Sequence, residues 1–388
     1  MASQSPLGKV TTAQLQNLVE VLWSWPICAE CLAGKPCQTT VCPWPRSTVL
    51  GRYFQFYKIS TSTYECNIEA GQIPSITSHE DLFRIIQELK ANPEITKAEL
   101  LEKLSTNRPA RVDRERALNL AAQIAMMVNC SASRQSSVLL EHGNHQTRWK
   151  RDVTFSQFIG DIFPPNDHPG IEDIKGNLRA TKLKKHARLN FQPTDDLRNH
   201  LRLDRKGAVV EIFHHTAFLK EQLRLTKDQP RDLSVPDFIK MSVLPRALAL
   251  EALDSIQKIL FPLTDPKSKK LLLSLTSTST CNFDTDILRY DSVSIRKPDE
   301  YNISYRYFGT RLADLHQELE NPTPRGVEKW FERNSGARFV MMATIAGVIF
   351  AIFLGLLGLG LAAFQSYIGY MAWKYPVQAV SIPQSNAR

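Results

Sequence analysis

The sequence predicts a mainly α-helical fold with short β-hairpins, an α+β cytosolic region, followed by one C-terminal transmembrane helix. Two observations carry the soluble part: apolar residues recur at helical spacing behind Ser or Thr caps, and only a few short runs alternate as strands do. The third is a closing segment, Phe339 to Trp373, without a single Asp, Glu, Lys or Arg. A composition of 43% hydrophobic and 22% charged residues over 388 positions describes a globular chain rather than a disordered one.

In chain order, residues 1–70 form a Trp/Pro/Cys-rich N-terminal segment. Its "TTAQLQNLVEVLWSW" places Leu15, Leu18, Val19 and Leu22 on one helical face, and Pro26, Pro36, Pro43 and Pro45 then break regular structure. "GRYFQFYKIST" is aromatic and alternating, which predicts a short strand. Residues 71–155 are helical: Ser78 caps "HEDLFRIIQELKA", and "TKAELLEKL" and "DRERALNLAAQIAMMV" repeat its period. With a two-stranded wing in "SVLLEHGNHQTRWKRDVTF", this order is that of a winged helix, whose third helix would offer Arg114 and Arg116 to nucleic acid.

Residues 156–321 make a second α+β region. His200–Asp204 and Val209–Phe213 read as a hairpin about Lys206–Gly207, "TAFLKEQLRL" and Pro245–Phe261 read as helices, and "TRLADLHQELE" closes the region. A juxtamembrane linker (322–338), the transmembrane helix (339–370) and a short tail (371–388) follow. At about 1.5 Å per residue the apolar run from Phe339 to Phe364 exceeds the roughly 30 Å of bilayer hydrocarbon.

Arg325, Lys329, Arg333 and Arg338 precede the span while Lys374 and Arg388 follow it, so the positive-inside bias keeps the N-terminal side cytosolic. Trp330, Phe331, Tyr367, Tyr370 and Trp373 fall at headgroup depth. A short tail beyond the span is the topology of a tail-anchored protein, and the span's length suits the endoplasmic reticulum or later secretory membranes. On the cytosolic side the seven cysteines stay reduced, and the sequons at Asn129 and Asn302 stay bare.

Four chemistries are open to the remaining residues. Cys28, Cys31, Cys37 and Cys42 follow C-x2-C-x5-C-x4-C, which is compatible with a zinc site; since only one pair has the tight knuckle spacing, the pattern favours small buried or loop side chains packed among Trp23, Trp25 and Trp44. His214 and His215, with Asp195 or Asp196, could build an unrecognised enzyme site, although neighbouring strand residues point to opposite faces and one at most would enter it. The stretch Lys175–Arg188 is basic and, with a net charge of +9, fits lipid headgroups better than nucleic acid, since no aromatic residues interleave it. Ala343, Gly347, Ala351 and Gly355 form a small-residue stripe that would allow self-association. Nucleophile-elbow, zinc-protease and phosphate-loop motifs do not occur, so no catalytic, cofactor or metal residue is assigned.

"TDDLRNHLRLD" (Thr194–Asp204), "EIFHHTAFLKEQLRLT" (Glu211–Thr226), "RYFGTRLADLHQELENPTPRG" (Arg306–Gly326) and "SGARFVMMATIAGV" (Ser335–Val348) resemble an expanded set of uncharacterised proteins of filamentous fungi. That resemblance implies a cytosolic α-rich region with a C-terminal membrane helix and no established activity. The expectation is therefore a single-pass, tail-anchored, non-enzymatic interaction or adaptor module on an intracellular membrane. Its partners would be the bilayer and an unknown protein.

Overall fold

Helix α1 (Thr12–Trp23) starts where Thr11 and Gln14 close a capping box, the Thr11 hydroxyl taking the Gln14 amide and the Gln14 side chain taking the Thr11 amide. It stops at Ser24, which turns the chain through φ 53°. The structure is a computed structural model, and it describes residues 7–64, 74–104, 111–130, 149–168, 170–230, 234–277, 283–291, 293–324 and 338–375. The fold is mainly α with a small sheet and one long apolar C-terminal helix, as the sequence predicts.

After the four-residue α2 (Ala29–Leu32) and a 3-10 turn at Trp44–Leu50, residues 51–62 form helix α3 (Gly51–Ser62), not the strand their alternation suggested. The reason is that Tyr53, Phe54, Phe56 and Tyr57 also stand at the spacing of one helical face. Buried, that face meets Trp23 and Phe218 through Tyr53 (centroids 5.6 and 5.2 Å apart), and the Tyr53 hydroxyl donates to the Ile124 carbonyl.

Helices α4 (His79–Ala91), α5 (Lys97–Lys103) and α6 (Arg111–Met126) lie where their periodicity placed them, α4 and α5 each opening on a capping box. Next come α7 (Phe155–Ile162), α8 (Ile171–Lys175) and α9 (Ala180–His186). The sheet has β1 (Asn190–Thr194), β2 (Leu203–Asp204) and β3 (Val209–Phe213) in the order β1-β3-β2. β2 and β3 make the predicted hairpin, with Leu203 opposite Val210, whereas β1 pairs parallel to β3 with Phe191 beside Val210.

Helices α10 (Thr216–Leu225), α11 (Val235–Ser242), α12 (Arg246–Asp254, running on as a π-turn over Ser255–Leu260), α13 (Pro266–Ser277) and α14 (Gly309–Glu320) complete the first compact unit, Met1–Pro322. One continuous hydrophobic core runs through it, from Leu7 to Leu315. The second unit contains α15 (Arg338–Lys374). Among the described residues it is the one helix long and apolar enough to cross a membrane, over Thr344–Lys374, and none of that span is buried.

Candidate functional site

The four cysteines of the N-terminal segment converge. Cys28 precedes α2 and Cys31 lies in it; Cys37 and Cys42 return on the loop that follows. Cys28 Sγ is 3.9 Å from Cys37 Sγ, Cys31 Sγ is 3.9 Å from Cys42 Sγ, and all four sulfurs lie within 4.8 Å of one another. The Cys28 amide donates to Cys42 Sγ at 3.4 Å, and Gln16 of α1 donates to the Cys31 carbonyl at 2.8 Å. Burial and the three neighbouring thiols push the Cys31 thiol above its ordinary range. Of the three tryptophans, Trp23 and Trp25 are buried and Trp44 is half-buried, and Arg46 stacks over Trp25 at 5.2 Å.

A second cluster gathers at the carboxyl end of the sheet. His214 Nε2 is 3.1 Å and His215 Nε2 2.6 Å from the same oxygen, Asp195 Oδ1. The expectation that only one histidine could enter a site is thus corrected: β3 ends at Phe213, so strand alternation no longer separates the next two side chains. Asp196, the other candidate, turns away to Arg198 (2.6 Å) and the Asn129 amide (3.2 Å).

The protons of this cluster are ordered by the backbone. The Asp284 amide donates to His214 Nδ1 at 2.9 Å, so that ring carries its proton on Nε2 and gives it to Asp195. Two histidines and a carboxylate are a familiar metal-ligand set, but a ligating His keeps a lone pair on one nitrogen and donates from the other. Here both nitrogens of His214 are committed the wrong way round. Burial, then the adjacent His214 ring, lowers His215 to about 4, and the two imidazole N–H groups hold the Asp195 carboxyl well below the usual carboxylate range. The arrangement is a carboxylate clamp that ties the β1 exit to the β3–α10 corner.

A concave space of about 460 Å³ lies between α11, the start of α12 and residues 297–306, lined by Phe238, Ile239, Leu250 and the paired Arg246 and Glu300. None of Asp195, Asp196, His214 and His215 lines it. Helix α6, offered as a recognition helix, is enclosed from Ala117 to Val128 save for half-buried Gln123; before that stretch Arg114 and Arg116 are half-buried, with Arg114 donating to the Leu101 carbonyl at 2.7 Å. The wing expected before Phe155 lies largely outside the described residues.

In the basic stretch, Lys184, Lys185, His186 and Arg188 face solvent at the end of α9. Gly347 and Gly355 of the small-residue stripe stand on α15 with open space where a Cβ would be, while the side chain of Ala343 lies outside the described residues. No protein family, curated protein or solved structure matches the chain.

Two features of these surroundings were not legible beforehand. His200, read only as a strand residue, is fully buried; it accepts the Phe213 amide on Nδ1 (3.2 Å) and contacts Ser255 Oγ from Nε2 (2.7 Å). Lys220 of α10 is buried against Asp286 at 2.7 Å. Neither has a local sequence signal, since Ser255 and Asp286 lie more than 50 residues from them.

Proposed function

We propose that this chain is a membrane-anchored interaction protein, with α15 crossing an intracellular membrane and the compact unit 1–322 displayed on its cytosolic face. The observation that carries the reading is the helix Thr344–Lys374 itself, long and apolar enough to cross a membrane and with none of its span buried, in a chain whose first unit has a continuous hydrophobic core of its own. In water the leucines and phenylalanines of α15 would each cost roughly 1.5–3 kcal/mol of unburied surface, and a bilayer removes that cost. Four basic residues before the span against Lys374 and Arg388 after it favour the cytosolic orientation. The length of the span favours the endoplasmic reticulum or later secretory membranes.

A non-enzymatic role is supported by how the reactive side chains are spent. His200, His214 and His215 each hold internal hydrogen bonds, and the concave space by α11 lacks them. The work left to the exposed surface is recognition of another protein at the membrane.

Proximity labelling from the N-terminus, with a version truncated at Gly326 beside it, tests this directly. Partners seen with the full chain and lost on truncation, together with carbonate-resistant membrane association, are the expected result. Extraction of the full chain by carbonate, or protection of its N-terminal unit from protease outside sealed microsomes, would defeat the proposal.

A further inference from the structure

Between Leu32 and Val41 every side chain except Cys37 faces solvent, including Leu32 at 56% and Val41 at 80% exposure. Hydrophobic burial therefore does not hold this loop in place. Pro36 and Pro43 also remove backbone donors that a regular element would use. What points inward is sulfur: Cys31 and Cys42 are buried, and Cys28 and Cys37 half-buried.

The geometry of those sulfurs is that of a coordination shell. A zinc ion with Zn–S bonds of about 2.3 Å sets the edges of a regular sulfur tetrahedron at about 3.8 Å. The two closest pairs, Cys28–Cys37 and Cys31–Cys42, stand at 3.9 Å, on opposite edges that share no residue. The remaining sulfur pairs close the figure within 4.8 Å. Cys28 caps α2 and Cys31 lies in its single turn, closed by the Leu32 amide on the Cys28 carbonyl (3.1 Å); just after it the chain reverses, the Gly34 amide bonding the Cys31 carbonyl (3.1 Å) and the Lys35 amide the Glu30 carbonyl (2.8 Å), with Gly34 at φ +72°. The Cys28 amide already aims at Cys42 Sγ, as backbone amides do where a thiolate carries charge.

We propose that Cys28, Cys31, Cys37 and Cys42 bind one zinc ion as a closed four-thiolate structural site, which fixes the loop 33–42 after α2 to the compact unit. With four protein ligands no position remains for substrate, so the ion acts as a cross-link. Its load is carried inward by the Gln16–Cys31 bond to α1 and by Arg46, which stacks on Trp25 and reaches Glu221 of α10 at 3.1 Å. The cytosolic orientation proposed above keeps the thiols reduced, but the site does not depend on the anchor.

The test uses the full chain in detergent, purified under reducing conditions without chelator, with metals counted by mass spectrometry. One zinc per chain is expected; Cys28→Ser and Cys37→Ser each lose it, and Cys130→Ala keeps it. Exchange with cobalt should give the intense visible bands of a tetrahedral thiolate site. Should a serine variant fail to fold, wild type stripped by chelator and reloaded with zinc gives the same readout, the protease sensitivity of the loop rising on stripping and falling on reloading. Absence of zinc after incubation with the metal, an octahedral cobalt spectrum, a bound iron in place of zinc, or a Cys28–Cys37 or Cys31–Cys42 disulfide in freshly purified reduced protein would each overturn the assignment.

Discussion

Lys90 of α4 closes the carbonyl end of α1: its ammonium donates to the Leu22 carbonyl at 2.8 Å and to the Val21 carbonyl at 2.9 Å, with no carboxylate paired to it among the described residues. The helix dipole and two orphan carbonyls take the place of a counter-ion. Burial lowers this lysine to about 8. The folded state thus binds its proton less tightly than the unfolded chain does, and the protein gains stability from this group as pH rises from about 8 towards 10. Relative to Lys90→Met, wild type should gain on the order of 2 kcal/mol over that window in denaturant titrations. A difference independent of pH would show that the ammonium is not desolvated.

At the acid end the buried histidines set the trend. Burial, with Arg311 adding to it, brings His200 to about 3, and His215 is lowered to about 4. Both are neutral in the fold and must charge on unfolding below about pH 6.5, so their contribution is complete above that pH and is lost as pH falls towards 4. Each removes about 1.4 kcal/mol per pH unit in that interval. His200→Gln should flatten the pH dependence of the unfolding free energy by one such slope, measured between pH 6.5 and 4.5.

The helices were legible in the sequence because capping and periodicity are local. Ser78 with Asp81 and the α4 stripe needed no tertiary information. Residues 51–62 were misread because aromatic alternation and a helical aromatic face share the same four positions, and only packing against Trp23 and Phe218 decides between them. β1 was missed because "NFQPT" holds a proline and finds its partner, β3, across a parallel crossover. The cysteine spacing showed which residues could meet. That they do meet depends on the return of the loop, which no spacing rule encodes.

Arg246 is the most heavily committed cation of the core. Its guanidinium donates to Glu300 (2.6 Å), to the Ile295 carbonyl (2.6 Å) and to Thr226 Oγ1 (2.8 Å), joining α10, α12 and the 295–300 turn. Arg246→Met would leave the Ile295 carbonyl and the Glu300 carboxylate without their guanidinium partner and should cost about 3–5 kcal/mol in unfolding free energy. Arg246→Lys should recover little of this, because one ammonium cannot reproduce the planar fork. Full recovery by lysine would mean that charge alone, not geometry, holds this junction.

The span itself invites a quantitative test. Fourteen Leu, Ile, Val and Phe residues lie between Phe339 and Phe364. At about −0.3 to −0.6 kcal/mol each on an insertion scale they supply roughly −4 to −8 kcal/mol, against about +2.5 to +3.5 for an arginine at the centre. Leu354→Arg alone should therefore leave the chain resistant to carbonate extraction. Adding Leu357→Arg raises the opposing term to about 5–7 kcal/mol against roughly −4 to −7 kcal/mol from the apolar residues that remain, which brings the balance near zero and should move a substantial share of the protein to the supernatant. Both side chains are open on α15, so neither change disturbs packing within the helix's surroundings. Equal extraction of the single and double variants would show that something other than the apolar content of α15 holds the protein at the membrane.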